Sequence, residues 1–144
     1  MKLQIKVKRH NNVPLPHFIE QGDWVDLTAA EDCKINRKSG YTSFSLGVSM
    51  ELPEGYEAIL APRSSTPKKF GFLVPNSFGV IDNSYCGDND VWMFPALATR
   101  DVLIEKNSRI CQFRIQKKMD DVSFYTVDTL GNENRGGFGS SGTM

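Results

Sequence analysis

At 144 residues the chain has room for one domain with a real hydrophobic core and little more. Its 17 basic and 17 acidic side chains cancel, so it lacks the positive footprint that long nucleic acid attracts, and no such partner is expected. Three dispersed cysteines, Cys33, Cys86 and Cys111, form no C-x-x-C pair, which argues against a structural zinc site and a disulfide framework and suits a reducing cytoplasm. The opening stretch is charged but has no apolar run after it, so neither a signal peptide nor a membrane anchor is expected.

In chain order, the first element is Leu3, Ile5 and Val7, apolar at every second position as in a half-buried strand. Further short runs rich in β-branched and aromatic residues follow at Val25–Ala30, Tyr41–Leu52, Tyr56–Ala61, Phe72–Val74, Val91–Ala98, Val102–Ile104, Ile110–Gln116 and Val122–Val127. Glycine, proline, asparagine or aspartate separates them. Roughly ten short strands with almost no 3.6-residue period predict an all-β sandwich, jelly roll or barrel. One short helix is expected at Ser65–Phe70, with Ser65 or Thr66 as cap, Pro67 in the first turn and Gly71 at the end. The expected division is a β domain over residues 1–128 and a mobile tail over 129–144, too rich in glycine and small polar residues to hold a core.

Four segments are candidates for chemistry. Pro62-Arg63-Ser64-Ser65-Thr66 sets a guanidinium and three hydroxyls at a helix start, which suits either a phosphate or an ordinary N-cap. In the segment Pro75–Asp88, an apolar strand end delivers Asp82 into a turn, with Tyr85 three residues on and Gly79 and Gly87 on either side. Asp82 there is either a general base for a water or a turn former with Asn83. Arg109 and Gln112 bracket an apolar pair where a turn enters a strand, a pattern that says little alone. The tail segment Arg135–Gly142 offers an arginine, Phe138 and several glycines, the makings of a flexible lid or of a plain disordered end.

Together with Trp24-Val25-Asp26-Leu27, these segments resemble, in order and approximate spacing, the five motifs of the trimeric dUTPase family, from about Gly22 to Gly142. The resemblance implies a jelly-roll subunit, a homotrimer with active sites at subunit interfaces, and a neighbouring chain's tail over each site. It implies hydrolysis of dUTP to dUMP and pyrophosphate with Mg2+ held by the phosphates and waters rather than by direct protein ligands. Position by position, Asp26 would stand near the metal-bound waters, and Arg63, Ser64, Ser65 and Gln112 would meet the triphosphate. Asn76 and the backbone of Gly79, Val80 and Ile81 would read the uracil edge, Tyr85 would pack under the deoxyribose, and Asp82 would activate water. Arg135 would take the γ-phosphate and Phe138 would cover the base.

Three positions depart from the family pattern. Trp24 and Asn107 stand where glycine is usual, and Glu133 occupies the place of the tail arginine, leaving Arg135 only three residues before Phe138. Trp92 and Phe94 are therefore alternative covers for the base, or else strand core. A dCTP deaminase shares the implied fold but needs a glutamate-centred site, whereas the segment here reads Ile81-Asp82-Asn83-Ser84-Tyr85. A nucleotide-binding regulatory protein acting on an unknown partner is the remaining alternative.

Overall fold

The computed structural model describes residues 2–16, 18 and 21–137. Among them are eleven strands and one short α-helix, so the all-β expectation holds. The strands are β1 (Lys6–Arg9), β2 (Val25–Thr28), β3 (Cys33–Ile35), β4 (Tyr41–Ser45), β5 (Val48–Glu51), β6 (Tyr56–Pro62), β7 (Phe72–Leu73), β8 (Gly79–Ile81), β9 (Met93–Ala98), β10 (Val102–Ile104) and β11 (Arg109–Lys117). They pair antiparallel into a four-stranded sheet β2-β11-β6-β8, a three-stranded sheet β4-β9-β7, and the pairs β1-β5 and β3-β10. Helix α1 (Thr66–Phe70) has Pro67 in its first turn and ends at Gly71, whose φ of 69° is the left-handed C-cap that glycine adopts without a Cβ clash.

The run Tyr41–Leu52 splits into β4 and β5 because Gly47 turns the chain at φ 71°, and a Cβ there would meet Val13 Cγ1 at 2.6 Å. Strand β3 is unannounced by the sequence, since three residues are too few for a period to register. The opposite error falls on Val122–Val127, expected as a strand: after β11 the described chain has neither strand nor helix, and Phe124 is 94% exposed. A strand needs a neighbour's backbone, and within one chain this segment has none.

The core is strongly aromatic. Phe44, Phe72 and Phe94 meet at 5.6–5.9 Å between ring centroids, Phe70 stacks on Phe72 at 6.1 Å, and Trp92 stands edge-on to Phe113 at 5.2 Å. These rings join the sheets, because Phe44 (β4), Phe72 (β7) and Phe94 (β9) share one sheet face while Phe113 comes from β11. Trp92→Ala should therefore cost about 3–5 kcal/mol, the range for deleting a large buried ring. Chemical denaturation will read this, and a loss under about 1 kcal/mol would mean that the ring does not join the sheets.

Candidate functional site

Two groups of candidate residues emerge, at opposite ends of β6. The first is built on a carboxylate. Asp26 lies mid-strand in β2, opposite Gln112 of β11, and its side chain is only 9% exposed. One oxygen takes Arg63 Nε at 3.3 Å and the other takes Arg109 Nη1 at 3.3 Å. The arginine side chains keep 24% and 56% of their surface in solvent, and Arg63 also donates from Nη1 to the Arg109 carbonyl at 3.4 Å. Thr66 fixes the turn that carries Arg63: its buried hydroxyl accepts the Arg63 backbone N–H at 2.9 Å and donates to the Ile110 carbonyl at 3.1 Å. Gln112 donates from Nε2 to the Pro62 carbonyl at 3.1 Å, which ties the same turn to β11. Ser64 and Ser65 are exposed beside Arg63, and Ser65 makes no side-chain capping bond, so both hydroxyls are open to a ligand.

The second group surrounds β8. Ser77 turns the chain into this strand at φ 69°, and Asn76 is exposed just before it. Gly79, Val80 and Ile81 pair with Leu60, Ile59 and Ala58 of β6, not with a following strand, which leaves β8 as an outer strand with one free backbone edge. Asp82 follows immediately and is exposed; its side chain accepts the Ser84 N–H at 3.1 Å and its carbonyl accepts the Tyr85 N–H at 3.0 Å. Tyr85 donates its hydroxyl to the Val91 carbonyl at 3.0 Å, closing the loop and leaving one side of the ring open.

One chain does not bring the groups together. Ile81 faces Ala58, which puts Asp82 level with Glu57, and Arg63 follows the far end of β6, six residues from Glu57. Asp82 and Arg63 are therefore about 20 Å apart along the strand at roughly 3.3 Å per residue. The alternative base covers are corrected: Trp92 is 0% exposed and Phe94 1%, each held in ring contacts of the core, so neither can stack on a ligand. Arg135 is exposed in the described tail, and Phe138 lies outside the described residues. Asn107 takes φ 69°, the left-handed turn for which the family uses glycine, and Trp24 is half-buried with the Arg114 guanidinium 5.7 Å from its ring centre. Sequence reasoning left Arg109 unassigned and missed Thr66 as an organiser. The adjacency of Arg109 to Asp26 comes from pairing across β2 and β11, which no local pattern shows.

Comparison with known proteins shows what the chain is similar to. The dUTPase family profile matches residues 14–143. Over 142 residues the chain is 57% identical to the SPbeta prophage-derived deoxyuridine 5'-triphosphate nucleotidohydrolase YosS of Bacillus subtilis, covering 98% of this chain and 99% of that protein. It is 38% identical to the deoxyuridine 5'-triphosphate nucleotidohydrolase of Hydrogenobaculum, covering 99% of each. Its fold is similar to that of the Streptococcus mutans dUTPase, with a TM-score of 0.70 at 23% identity over 81% of this chain and 98% of that one. It is also similar to that of the Staphylococcus bacteriophage 80alpha dUTPase with dUPNHPP, with a TM-score of 0.73 at 20% identity over 97% and 99%. Its antiparallel β fold and its sequence thus point to one class of protein. The chain belongs to the dUTPase family.

The buried Cys111 thiol lies beneath the cradle, and its pKa is pushed well above the ordinary thiol value by burial first and by the Asp26 charge second, with Arg63 opposing. The folded state therefore keeps the proton that the unfolded chain releases above about pH 8.5, so stability is intact below that pH and falls as pH rises past it. The expected slope from this thiol is up to about 1.4 kcal/mol per pH unit, and Cys111→Ala should remove it. Denaturation series from pH 8 upward on both proteins will compare the slopes; parallel curves would contradict this. Asp26→Asn leaves two guanidiniums facing each other without a countercharge and should cost about 1–3 kcal/mol, less in high salt than in low. An unchanged denaturation midpoint in low salt would show that the arginines do not depend on Asp26.

Proposed function

We propose that the protein hydrolyses dUTP to dUMP and pyrophosphate, as a jelly-roll homotrimer whose sites are each completed by a neighbouring subunit. The observation that carries this reading is the split site: a phosphate cradle of Asp26, Arg63, Arg109 and Gln112 at one end of β6, and Asp82 with Tyr85 at the other. Bringing the base half of one copy onto the phosphate half of another joins what one chain keeps apart. Two further features favour contact between copies. The segment from Val122 to Val127 presents Phe124 and Tyr125 to solvent. An apolar groove of about 460 Å³, lined by Leu3, Ile5, Val7, Met50, Phe113 and Ile115 among others, offers such a segment a place to dock. We take residues 1–128 as the β domain and 129–144 as the lid, with Arg135 on the γ-phosphate and Phe138 over the base. The three free thiols suit a cytoplasmic setting.

Each residue has a task that its chemistry fits. The free edge of β8 presents N–H and C=O groups at fixed spacing to the N3–H and carbonyls of uracil; cytosine inverts part of that pattern and would leave buried polar groups unpaired. The Tyr85 ring packs under the sugar and leaves no room for a 2′-hydroxyl, while Asn76 steadies the base from the turn before β8. Arg63, Arg109, Ser64, Ser65 and Gln112 hold the phosphates in line for attack. Asp82, exposed at the end of β8, takes a proton from the attacking water as the oxygen bonds to the α-phosphorus and pyrophosphate leaves.

Among the described residues no three acidic, histidine or cysteine side chains stand together, and Asp26 is the carboxylate within the arginine cradle. A single carboxylate fits an ion that arrives on the phosphates and is met through its waters, and Mg2+ bound that way would supply charge withdrawal from the triphosphate. The charge count points the same way. Arg63, Arg109 and Arg135 less Asp26 offset two of the roughly four negative charges of the substrate, and a divalent cation offsets the rest.

Pyrophosphate release should be fast with dUTP and at least about a hundredfold slower with dCTP, dTTP and UTP, and equal turnover would refute the specificity. Ammonia release from dCTP would favour the deaminase reading instead. Asp82→Asn should keep the circular dichroism spectrum and lower kcat by about 100-fold or more. Asp82→Asn and Arg63→Ala chains, each nearly inactive alone, should recover about a quarter of wild-type activity when co-expressed, since some shared sites then draw Asp82 from an Arg63→Ala chain and Arg63 from an Asp82→Asn chain. No recovery in verified hybrids would place the whole site in one subunit.

A further inference from the structure

Two polar side chains are buried among the described residues, Thr66 at 1% and Ser49 at 5% exposure. Thr66 anchors the Arg63 turn through one accepted and one donated hydrogen bond. Ser49, in β5, is wired the same way. Its hydroxyl donates to the Asp88 carbonyl at 3.1 Å and lies 3.0 Å from His10 Nε2. A serine hydroxyl has one proton, and here it goes to Asp88, so His10 must hold its own proton on Nε2 and donate it to Ser49. The chain of donors therefore runs His10 to Ser49 to Asp88 and ends on the loop between β8 and β9 that carries Tyr85.

That loop is held from within by Tyr85 on Val91, by the Gly87 N–H on the Asp90 carboxylate at 2.9 Å, and by the Asp90 N–H on the Gly87 carbonyl at 3.1 Å. Its far end is pinned by the Trp92 N–H on the Val48 carbonyl at 2.8 Å. The middle of the loop, at Asp88, is held from outside by Ser49 and by an ion pair from Lys8 at 3.5 Å. The Lys8 contact is between exposed groups and is worth little. Ser49 is shielded from water, so its loss would leave both the Asp88 carbonyl and His10 without their partner.

We infer that Ser49, oriented by His10, is a positioning residue that sets the loop carrying Tyr85 and thereby the discrimination between deoxyribose and ribose. This rests on the reading of Tyr85 as the wall under the sugar. Ser49 touches no substrate, so its effect appears in KM and in sugar selectivity more than in kcat.

Ser49→Ala should speed backbone hydrogen exchange across residues 85–90 in the full-length enzyme, raise KM for dUTP and lower the dUTP to UTP ratio of kcat/KM by about tenfold, with kcat little changed. Ser49→Thr, which keeps the hydroxyl, should restore most of the ratio. Unchanged exchange over residues 85–90 in Ser49→Ala would overturn the inference, as would faster exchange with the sugar ratio intact while Tyr85→Ala collapses it. If Tyr85→Ala itself keeps the ratio, the sugar-wall reading fails and the selectivity inference falls with it; the exchange data would then still report whether Ser49 holds the loop.

Discussion

The Asp26 carboxylate stands between two guanidiniums, and the geometry of the arginine pair depends on it. Arg63 and Arg109 arrive from different places, one after β6 and one at the start of β11, and would repel each other if brought side by side unaided. A charge pair near a protein surface is worth about 4 kcal/mol at 4 Å with an effective dielectric of 20. The nearly buried position of Asp26 keeps its interactions toward the stronger end, and the partly wet arginines avoid most of the desolvation that makes buried pairs unprofitable. The exposed Lys6–Glu51 pair at 3.1 Å, with both side chains more than half in water, has no such leverage. The same carboxylate lies above Cys111, where its charge helps keep the thiol neutral. One acid thus gathers two cations from different parts of the chain.

Legibility in the sequence followed the range of the interactions. Strands whose identity rests on their own side chains, such as Val102–Ile104 and the run within β11, could be read from composition and period. Helix α1 was legible because Pro67 and Gly71 act locally. The break at Gly47 was not, since it depends on Val13 arriving from 34 residues away, and β3 was too short to signal itself. Val122–Val127 was misread for the converse reason: its residues favour a strand, but propensity cannot supply an edge to pair with. Among the candidate residues, motif spacing named Thr66 and Arg109 without the contacts they make, and it did not register Ser49 or His10, because these contacts run across strands; it left Trp92 open until the ring was seen against Phe113.

The two halves of the proposed site would solve different problems with different materials. Phosphate recognition needs charge, and charge needs balancing, so that half is made of side chains on a broad sheet where β2 and β11 set the spacing through their register. Base recognition needs a fixed row of donors and acceptors, and the backbone of an outer strand provides one with no side-chain entropy to lose. An open edge is ordinarily a hazard, because another chain can add to it. Here β8 is three residues long and runs directly into Asp82 and a closed loop, too short for a strand to dock. In the proposed reading the feature that makes the edge safe would also make it selective, provided that the loop after it cannot drift. The buried hydroxyls fit that requirement: Thr66 and Ser49 contribute no charge to either half, and each holds a turn at hydrogen-bond precision where the nearest strand pairing has already ended.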